Sequence, residues 1–292
     1  MNVKIITDSA CDILETDQLK YDIEIMPVYV VENEKTYRDG IDISSELVCE
    51  NMRKGVRYKT SQIPYGDFYK RFEELIMENR SFIYLAFSSG LSGTYQAAAL
   101  AERDLKEKYP NADFKVIDTR AVCYGLGHIV YGVARAAAEG VRMDELQKRI
   151  NYYIDHVKHV FTVTDLQYLY RGGRLNKGTA IIGNMLNINP LLEVNMAGEL
   201  QQIDKVRGEK KLVKKMVDYL DENGSHWDKQ TIGISHADNA ELVDVFVKMA
   251  SKRFNTEQFK IVPLGPTVLT HSGPGTLAVF FFDECKDAYW VE

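Results

Sequence analysis

The segment from Phe82 to Tyr95, FIYLAFSSGLSGTY, constrains the fold more than any other part of the chain. It begins as a short apolar run with the length and composition of a buried strand, and it ends in small hydroxylated residues and glycines. The residues from Gln96 to Tyr109 are rich in alanine and leucine, with charges spaced as on a helix surface. The pattern predicts a strand, a tight loop and a helix. Open α/β sheets bind ligands at such junctions, outside the carboxyl ends of the strands.

The loop after this strand is rich in groups that bind polar or anionic ligands. Glycines at positions 90 and 93 allow a ligand to approach the backbone closely. Hydroxyl groups and the amides of a helix N-terminus can donate hydrogen bonds to it. The candidate hydroxyls are those of Ser88, Ser89, Ser92 and Thr94. The sequence therefore predicts a site for a polar or anionic group at this loop.

Length and composition limit the class of protein. The chain has 292 residues, enough for two domains, and its 45% hydrophobic and 27% charged residues are typical of a globular protein. A net charge of -6 argues against a general nucleic-acid-binding protein. We expect a cytoplasmic protein, because the sequence has no apolar run long enough for a bilayer and opens in a strand pattern without a signal peptide. The four cysteines lie far apart without CxxC pairing, so we expect reduced, packed thiols.

The alternation of strands and helices changes near residue 155. Up to about residue 150 the pattern predicts a parallel, three-layer sheet. Beyond residue 157, Pro190 to Val194 and Glu199 to Val206 predict an antiparallel pair joined by a turn. We therefore expect an α/β protein of two domains. Residues 1–155 would form a three-layer parallel-sheet domain, and residues 156–292 an α/β domain with a mixed or antiparallel sheet.

The sequence also predicts the local structure of several shorter segments. Ser9 or Asp12 is predicted to cap the helix that follows the first strand, with a ligand-side or inter-domain loop as the alternative. Ile23 to Val31 is predicted as one strand, at an edge or opened by Pro27. Lys59 to Pro64 is predicted as a hydroxyl-rich turn. We interpret Gly125 and Gly127 as helix-packing contacts and His128 as a structural residue, and we expect an apolar helix from Thr179 to Leu186.

The motifs of catalysis are incomplete. The segment Gly90-Leu-Ser92-Gly93-Thr94 lacks the last glycine of a nucleophile elbow, and no acid is evident to orient His271 as a base. His156 and His159 have neither an HExxH motif nor paired cysteines, and no phosphate loop is present. We therefore expect no metal or cofactor and favour binding over catalysis. A serine- or histidine-dependent enzyme acting on an ester or a small carbonyl compound remains the alternative.

A group of basic residues lies near one predicted helix: Lys205, Arg207, Lys210, Lys211, Lys214 and Lys215. Such spacing is typical of a solvated helix face. In an acidic protein, the same residues together with Arg171, Arg174 and Lys177 could instead dock an acidic partner or approach a phosphate. The sequence leaves both interpretations open.

A set of short motifs occurs in a specific order along the whole chain. The motifs are Thr7-Asp8-Ser9 with Asp12, Thr60-Ser61-Gln62, Ser88-Ser89-Gly90-Leu91-Ser92-Gly93-Thr94, Gly172-Gly173-Arg174, Lys205-Val206-Arg207 with Lys210-Lys211, and His271-Ser272-Gly273-Pro274-Gly275. In this order the chain resembles the DegV family, bacterial fatty-acid-binding proteins that present their ligand to a fatty acid kinase. Two departures from the family's pattern lie near the motifs, at Ile63-Pro64-Tyr65 and at Leu269.

The resemblance implies a function and its residues. The chain would bury a long-chain fatty acid between two α/β domains and present it to an ATP-dependent kinase subunit, without being an enzyme itself. The implied carboxylate ligands are Thr60, Ser92 and His271, with Ser61 adjacent. Arg174 and Arg207 correspond to basic positions that the family uses near its kinase-facing surface. A regulatory docking module around Arg207, with incidental lipid, is a further alternative. Candidate tunnel walls are 179–186, Leu191-Leu192 and Val279 to Phe282.

Overall fold

The computed structural model describes residues 2–175 and 188–285. The strands are β1 (Lys4–Asp8), β2 (Glu24–Met26), β3 (Tyr29–Glu32), β4 (Lys35–Arg38), β5 (Lys59–Ser61), β6 (Phe82–Ala86), β7 (Phe114–Asp118), β8 (Val157–Thr162), β9 (Ile188–Val194), β10 (Leu200–Arg207), β11 (Ile232–His236), β12 (Phe259–Pro263) and β13 (Leu277–Phe282). The helices are α1 (Glu15–Lys20), α2 (Ser45–Arg53), α3 (Tyr65–Met77), α4 (Thr94–Lys108), α5 (Cys123–Ala138), α6 (Met143–His156), α7 (Gln167–Arg171), α8 (Glu209–Asn223), α9 (Ala240–Phe254) and α10 (Pro266–Ser272).

The N-terminal part contains the predicted parallel sheet. Its four strands lie in the order β2-β1-β6-β7, and every neighbouring pair is parallel. Alternate residues of β6 face opposite sides of the sheet, as strand geometry requires. Phe82 and Tyr84 pack in one apolar cluster with α3 and α4, whereas Ile83 and Leu85 pack in another with α5. The three-layer arrangement is confirmed.

Helix α5 lies between the N-terminal sheet and the C-terminal sheet. Most of its residues are buried, and the helix contacts β1 on one side and β11 and β13 on the other. A Cβ atom at Gly127 would lie 2.5 Å from the carbonyl oxygen of Cys11, and one at Gly125 would collide with His159. These glycines therefore allow close packing of α5, which confirms their interpretation as packing contacts. His128 is also buried on this helix.

The C-terminal part contains a mixed sheet in the order β10-β9-β8-β13-β11-β12. The pair β11 and β12 is parallel, and the other pairs are antiparallel, including the predicted pair β9 and β10. Helices α8 and α9 share an apolar cluster with this sheet. The predicted helix from Thr179 to Leu186 lies outside the residues that the structure describes.

A third, antiparallel sheet has the order β4-β3-β5 and was not expected from the sequence. The segment from Ile23 to Val31 is not one strand, because it divides at Pro27 into β2 and β3, which belong to different sheets. The prediction of a turn at Lys59 was also wrong. Residues 59–61 pair with β3, with Val30 opposite Thr60, because β3 supplies backbone partners that the local sequence does not reveal.

The loop after β1 joins the N-terminal sheet to the C-terminal part. Asp8 accepts a hydrogen bond from the Ala10 amide at 3.2 Å and caps a short 3-10 turn. The prediction that Ser9 or Asp12 caps the next helix was wrong. The carboxylate of Asp12 instead accepts bonds from the Gly265 amide and the Ser235 hydroxyl, each at 2.9 Å. The loop therefore contacts residues of the C-terminal part, as the alternative interpretation of a ligand-side or inter-domain loop predicts.

Asp39, immediately after β4, connects the small sheet to this junction. One of its oxygens, Oδ2, accepts hydrogen bonds from the hydroxyl of Ser9 at 3.0 Å and from both the amide and the hydroxyl of Thr267. Burial raises the pKa of Asp39 to about 6. The same cause raises the pKa of Asp8 to about 6 and that of Asp12 to about 7. Three carboxyl groups with raised pKa values thus lie at the loop after β1 and the end of β4.

The state of the cysteines and the length of the helices were both considered in the sequence. Cys11, Cys49, Cys123 and Cys285 are all buried and unpaired, as expected for packed, reduced thiols. Within residues 2–175 and 188–285, no helix combines the length and the apolar character needed to cross a bilayer.

Asp39→Asn tests the buried carboxyl group. A folded-state pKa of about 6, above the ordinary 3.8, means that the wild type loses stability from this group as the pH rises from about 4 to about 6. Asparagine does not titrate. The variant should therefore be less stable than the wild type at about pH 5, and the difference should shrink by about 1.4 kcal/mol at about pH 8, because roughly one pH unit lies between pH 5 and the folded-state pKa. Urea unfolding at the two pH values measures it.

Asp42→Asn is the matched control. Asp42 is exposed, and its hydrogen bonds with Arg38 lower its pKa to about 2. It titrates below the tested range, so its effect on stability should be the same at both pH values. A difference for Asp39→Asn that also stays constant would show that this carboxyl group is not protonated near pH 6.

Candidate functional site

A cavity of about 440 Å³ lies between the loops at the carboxyl ends of β1, β6 and β7 and the C-terminal sheet. Much of its lining is apolar. The apolar residues include Phe87, Val122, Phe161, Ala278 and Phe280. Cavities of this size in proteins hold small molecules. The cavity can therefore accept an apolar ligand.

Strand β13 contributes to this lining through alternate residues. Ala278 and Phe280 line the cavity, whereas Val279 and Phe281 pack on the opposite face with α8 and α9. Of the predicted tunnel-wall segment from Val279 to Phe282, only Phe280 therefore lines the cavity. Leu191 and Leu192 are buried core residues outside it.

One wall of the cavity is polar and is formed by Thr60 and His271. The hydroxyl of Thr60 on β5 and Nε2 of His271 on α10 are 2.7 Å apart. Helix α10 packs against β3 and β5, and the bonds from Thr267 to Asp39 hold its first turn. The position of His271 relative to Thr60 thus depends on the buried carboxyl group of Asp39.

His271 is neutral in this wall. Burial and, to a smaller extent, the charge of Arg174 lower the pKa of His271 to about 3. A Cβ atom at Gly172 would collide with Nδ1 of His271, so glycine at this position leaves room for the ring. A neutral imidazole has one donor and one acceptor nitrogen. It can therefore donate one hydrogen bond to an anion without supplying charge.

Arg174 supplies the positive charge in the cavity wall. Its side chain is half-buried, with Nε donating to the carbonyl oxygen of Leu91 at 3.0 Å and Nη1 to that of Gly172 at 2.5 Å. Burial lowers the pKa of Arg174, but a guanidinium group keeps its proton in proteins. In the part of the chain that the structure describes, it is the only arginine or lysine that lines the cavity.

Arg207 does not line this cavity. It lies exposed at the end of β10. Leu200, at the start of the same strand, does line the cavity. Seven residues of strand span roughly 23 Å. The structure thus separates the two arginines that the sequence grouped together.

The four hydroxyl groups of the loop after β6 have different environments. The hydroxyl of Ser88 donates to the carbonyl oxygen of Gly198 at 2.7 Å, and that of Ser89 donates to Asp118 at 2.5 Å. These two residues hold the loop in place and do not line the cavity. Ser92 and Thr94 do line it, and their hydroxyl oxygens are 2.9 Å apart. Only this second pair can contact a ligand there.

The loops that carry Thr60 and Ser92 are in contact. Ser61 and Gln62 follow Thr60 and also line the cavity. A Cβ atom at Gly93 would collide with the side chain of Gln62. The structure therefore brings the predicted residues Thr60, Ser61, Ser92 and His271 to one cavity, together with Arg174.

The contacts bear on the alternatives that the sequence left open. Ser92 exchanges hydrogen bonds with Thr94, and His271 with Thr60, so no described hydrogen bond joins Ser92 to a histidine. His156 pairs with Asp283, and His159 accepts from the Val122 amide at 3.2 Å. Among residues 2–175 and 188–285, no three histidine, cysteine or acidic side chains are grouped as metal ligands.

Several polar residues of the cavity were not named as site residues from the sequence, among them Asp8, His159 and Ser272. Asp8 and His159 line it, and burial lowers the pKa of His159 to about 3. Ser272 lines it with a buried hydroxyl group that has no hydrogen-bond partner. The signal for Asp8 and Ser272 was their place in the Thr7-Asp8-Ser9 and His271-Ser272-Gly273 motifs. His159 lies inside an apolar strand, where no pattern distinguishes it.

The fold and the cavity define a class of α/β proteins in which a parallel sheet and a mixed sheet enclose an apolar cavity with a polar wall. The chain belongs to the DegV family: residues 2–284 match the family model described as "Uncharacterised protein, DegV family". A DegV domain-containing protein of Clostridium perfringens is 36% identical over 285 residues, which cover 97% of this chain and 98% of that protein.

Solved structures of similar proteins share the whole fold. DegV of Bacillus subtilis, a fatty-acid-binding protein, superposes with a TM-score of 0.84 at 27% identity and covers 97% of this chain and 99% of its own. A DegV family protein of Thermus thermophilus, also described as binding fatty acid, superposes with a TM-score of 0.86 at 25% identity and covers 96% and 99%. The expected family and the expected fold class are confirmed.

Gly90→Ala tests how the cavity loop is held. A Cβ atom at Gly90 would lie 2.8 Å from the carbonyl oxygen of Gly198, in the turn between β9 and β10. The added Cβ atom is bonded directly to the backbone and the oxygen belongs to the backbone, so neither atom can move without moving the chain. We expect the substitution to lower the free energy of unfolding by about 1–3 kcal/mol, measured in urea.

Gly66→Ala is the control for this measurement. Gly66 lies in the first turn of α3, and an added Cβ atom would meet no heavy atom within 4 Å. Alanine should be neutral or slightly stabilising at this position. Equal effects of the two substitutions would mean that the contact between Gly90 and the hairpin turn does not constrain the loop.

Proposed function

We propose that the protein binds one long-chain fatty acid in this cavity, with the carboxylate at the wall formed by Thr60 and His271. The observation that carries the proposal is the combination of an apolar cavity with one polar wall in which Arg174 is the single cation among the described residues. The fatty-acid-binding relatives of Bacillus subtilis and Thermus thermophilus, which share the fold, support it.

Burial of an acyl chain in this cavity would supply enough free energy for binding. Burial contributes roughly 0.8 kcal/mol per methylene, so a chain of about sixteen carbons gains on the order of 10 kcal/mol before the costs of binding. A carboxylate buried beside apolar groups needs hydrogen bonds and a compensating charge. In the proposal, Thr60, Ser61 and Ser92 donate hydroxyl hydrogen bonds. The bound carboxylate takes the place of the hydrogen bond between Thr60 and His271, so that the neutral ring of His271 can donate one more hydrogen bond to it. Arg174 supplies the charge.

The proposed domains are residues 1–155 and 156–292. Val122 and Ser92 of the first range and Phe280 and His271 of the second line the same cavity. In this proposal the acyl chain lies between the two domains, so the ligand contributes to holding them together. The proposed place of action is the cytoplasm.

The proposed partner is an ATP-dependent fatty acid kinase subunit that phosphorylates the bound carboxylate. Arg207, Lys210 and Lys211 are exposed at the end of β10 and the start of α8. Exposed positive charges of this kind guide the encounter with an acidic surface and fix its orientation. We propose that this group docks the kinase, whereas Arg174 acts at the carboxylate.

The double variant Thr60→Val/Ser92→Ala tests the carboxylate site. It removes two hydroxyl donors and leaves Nε2 of His271 without its partner. Because each hydrogen bond to a charged group contributes about 1.5–3 kcal/mol, we expect at least about a tenfold loss of palmitate affinity. Isothermal titration of palmitate into delipidated protein measures the change.

Thr36→Val/Ser81→Ala is the matched control. It removes the same two hydroxyl types from exposed β4 and from the residue before β6, at the end opposite the cavity loop. Its affinity should equal that of the wild type. Equal palmitate affinity in both double variants would refute the roles of Thr60 and Ser92. Failure of the wild type to bind palmitate or oleate would refute the proposed function.

Arg207→Glu/Lys211→Glu tests the docking of the kinase. Reversal of two exposed charges away from the cavity should leave bound lipid unchanged and should reduce phosphorylation by the partner kinase at least about tenfold. Lipid content by mass spectrometry and acyl phosphate formation with ATP measure the two effects. The control is Lys248→Glu/Lys252→Glu, which reverses two exposed charges on α9. Equal rates in the two variants would contradict a docking role for Arg207.

A further inference from the structure

A second cavity lies on the outer side of the wall formed by Thr60 and His271. It has a volume of about 560 Å³, and it shares Thr60, His271 and Arg174 with the apolar cavity. We call it the basic vestibule, after its lining residues Arg57, Lys59, Arg171 and Arg174. A ligand group at the shared wall can therefore be reached from the apolar cavity and from the vestibule.

Among the described residues, no carboxylate offsets the positive charge of the vestibule. Four cationic side chains line it, and no aspartate or glutamate does so in the described part of the chain. None of the four forms a salt bridge with a carboxylate of the described residues. The chain as a whole carries a net charge of -6. Four cations that pair with no described carboxylate, around one concave space in an acidic protein, indicate an anionic ligand.

Two of the four cations are already oriented. Arg174 donates to the carbonyl oxygens of Leu91 and Gly172. Nε of Arg171 donates to the carbonyl oxygen of Gln167 at 3.1 Å, and its guanidinium group lies 5.0 Å from the centre of the Tyr168 ring. Side chains held in this way lose less conformational freedom when a ligand binds. No other donor of the two guanidinium groups is hydrogen-bonded to a described residue.

We propose that the basic vestibule binds the phosphate group that the kinase reaction places on the fatty acid carboxylate. This inference rests on the proposed function. In that reaction a carboxylate oxygen forms a bond to the γ-phosphorus of ATP. The bond from that phosphorus to the β,γ-bridging oxygen breaks, and ADP leaves with the electron pair. A carboxylate at the shared wall has apolar residues on its inner side, so its new phosphate group must lie in the vestibule.

Size and chemistry favour a phosphate over an acidic segment of a partner protein. A concave space of about 560 Å³ is in the range that holds a small molecule. Guanidinium groups bind phosphate oxygens through paired hydrogen bonds, and four cations are more than enough to neutralise the two negative charges of an acyl phosphate group. The vestibule would then hold the acyl phosphate product and shield it from water.

Arg57→Gln/Lys59→Gln is the test, with three probes titrated into delipidated protein at constant ionic strength. The probes are palmitate, palmitoylphosphonate as a stable analogue of the acyl phosphate, and inorganic phosphate. We expect the wild type to prefer the phosphonate to palmitate at least about tenfold, and this preference to fall about tenfold in the variant. Palmitate affinity should change less than about twofold. Lys248→Gln/Lys252→Gln, with the same loss of charge on α9, should retain the wild-type preference.

The outcomes separate the inference from the proposed function. If the variant still binds palmitate and keeps the wild-type preference for the phosphonate, the vestibule does not bind phosphate, and only this inference is refuted. The same preference combined with lost phosphorylation by the kinase also refutes it and would indicate a docking site for an acidic segment. A wild type that binds neither lipid overturns both proposals. Inorganic phosphate that competes with the phosphonate but not with palmitate supports the site and identifies free phosphate as a second source. A preference of the wild type that persists unchanged at high salt also contradicts the proposal.

Discussion

Asp39 is the buried contact on which the position of the polar wall depends. It accepts hydrogen bonds from Ser9, which follows the first parallel strand, and from Thr267, which begins α10. Through these bonds it fixes α10 relative to the small sheet that carries Thr60. His271, at the other end of this short helix, is thereby held 2.7 Å from the Thr60 hydroxyl. A carboxyl group outside the cavity thus determines whether the two residues can act together.

Different residues of the polar wall supply positive charge and hydrogen bonds. Burial keeps His271 neutral, so among the described residues that line the apolar cavity the positive charge comes from Arg174. Arg174 lines both the apolar cavity and the basic vestibule, and its orientation is set by carbonyl oxygens of two separate loops. The same guanidinium group can therefore face a carboxylate on one side and an added phosphate on the other. A protein with a net negative charge needs such a local arrangement to retain an anion.

The sequence predicted what depends on local patterns. The strand and helix around the SSGLSGT loop, the parallel sheet and the pair β9 and β10 follow from apolar periodicity and turn residues, which are local signals. Strand β5 was missed because its pairing with β3 is a contact between distant residues. Residue type could not separate Ser88 and Ser89, which hold the loop, from Ser92, which lines the cavity. Nor could it place Arg174 in the cavity wall, since its partner is the carbonyl oxygen of Leu91, far away in sequence.

The most direct measurement of the central claim is carbon-13 NMR of palmitate labelled at its carboxyl carbon and bound to the protein. A carboxylate beside Arg174, with hydroxyl groups and a neutral imidazole as donors, should keep its charge below the ordinary pKa of a carboxylic acid. We expect one bound resonance, distinct from free palmitate, whose position does not change between about pH 7 and about pH 5. No bound resonance, or one that titrates over the range of an ordinary carboxylic acid, would contradict the claim that this wall holds the carboxylate.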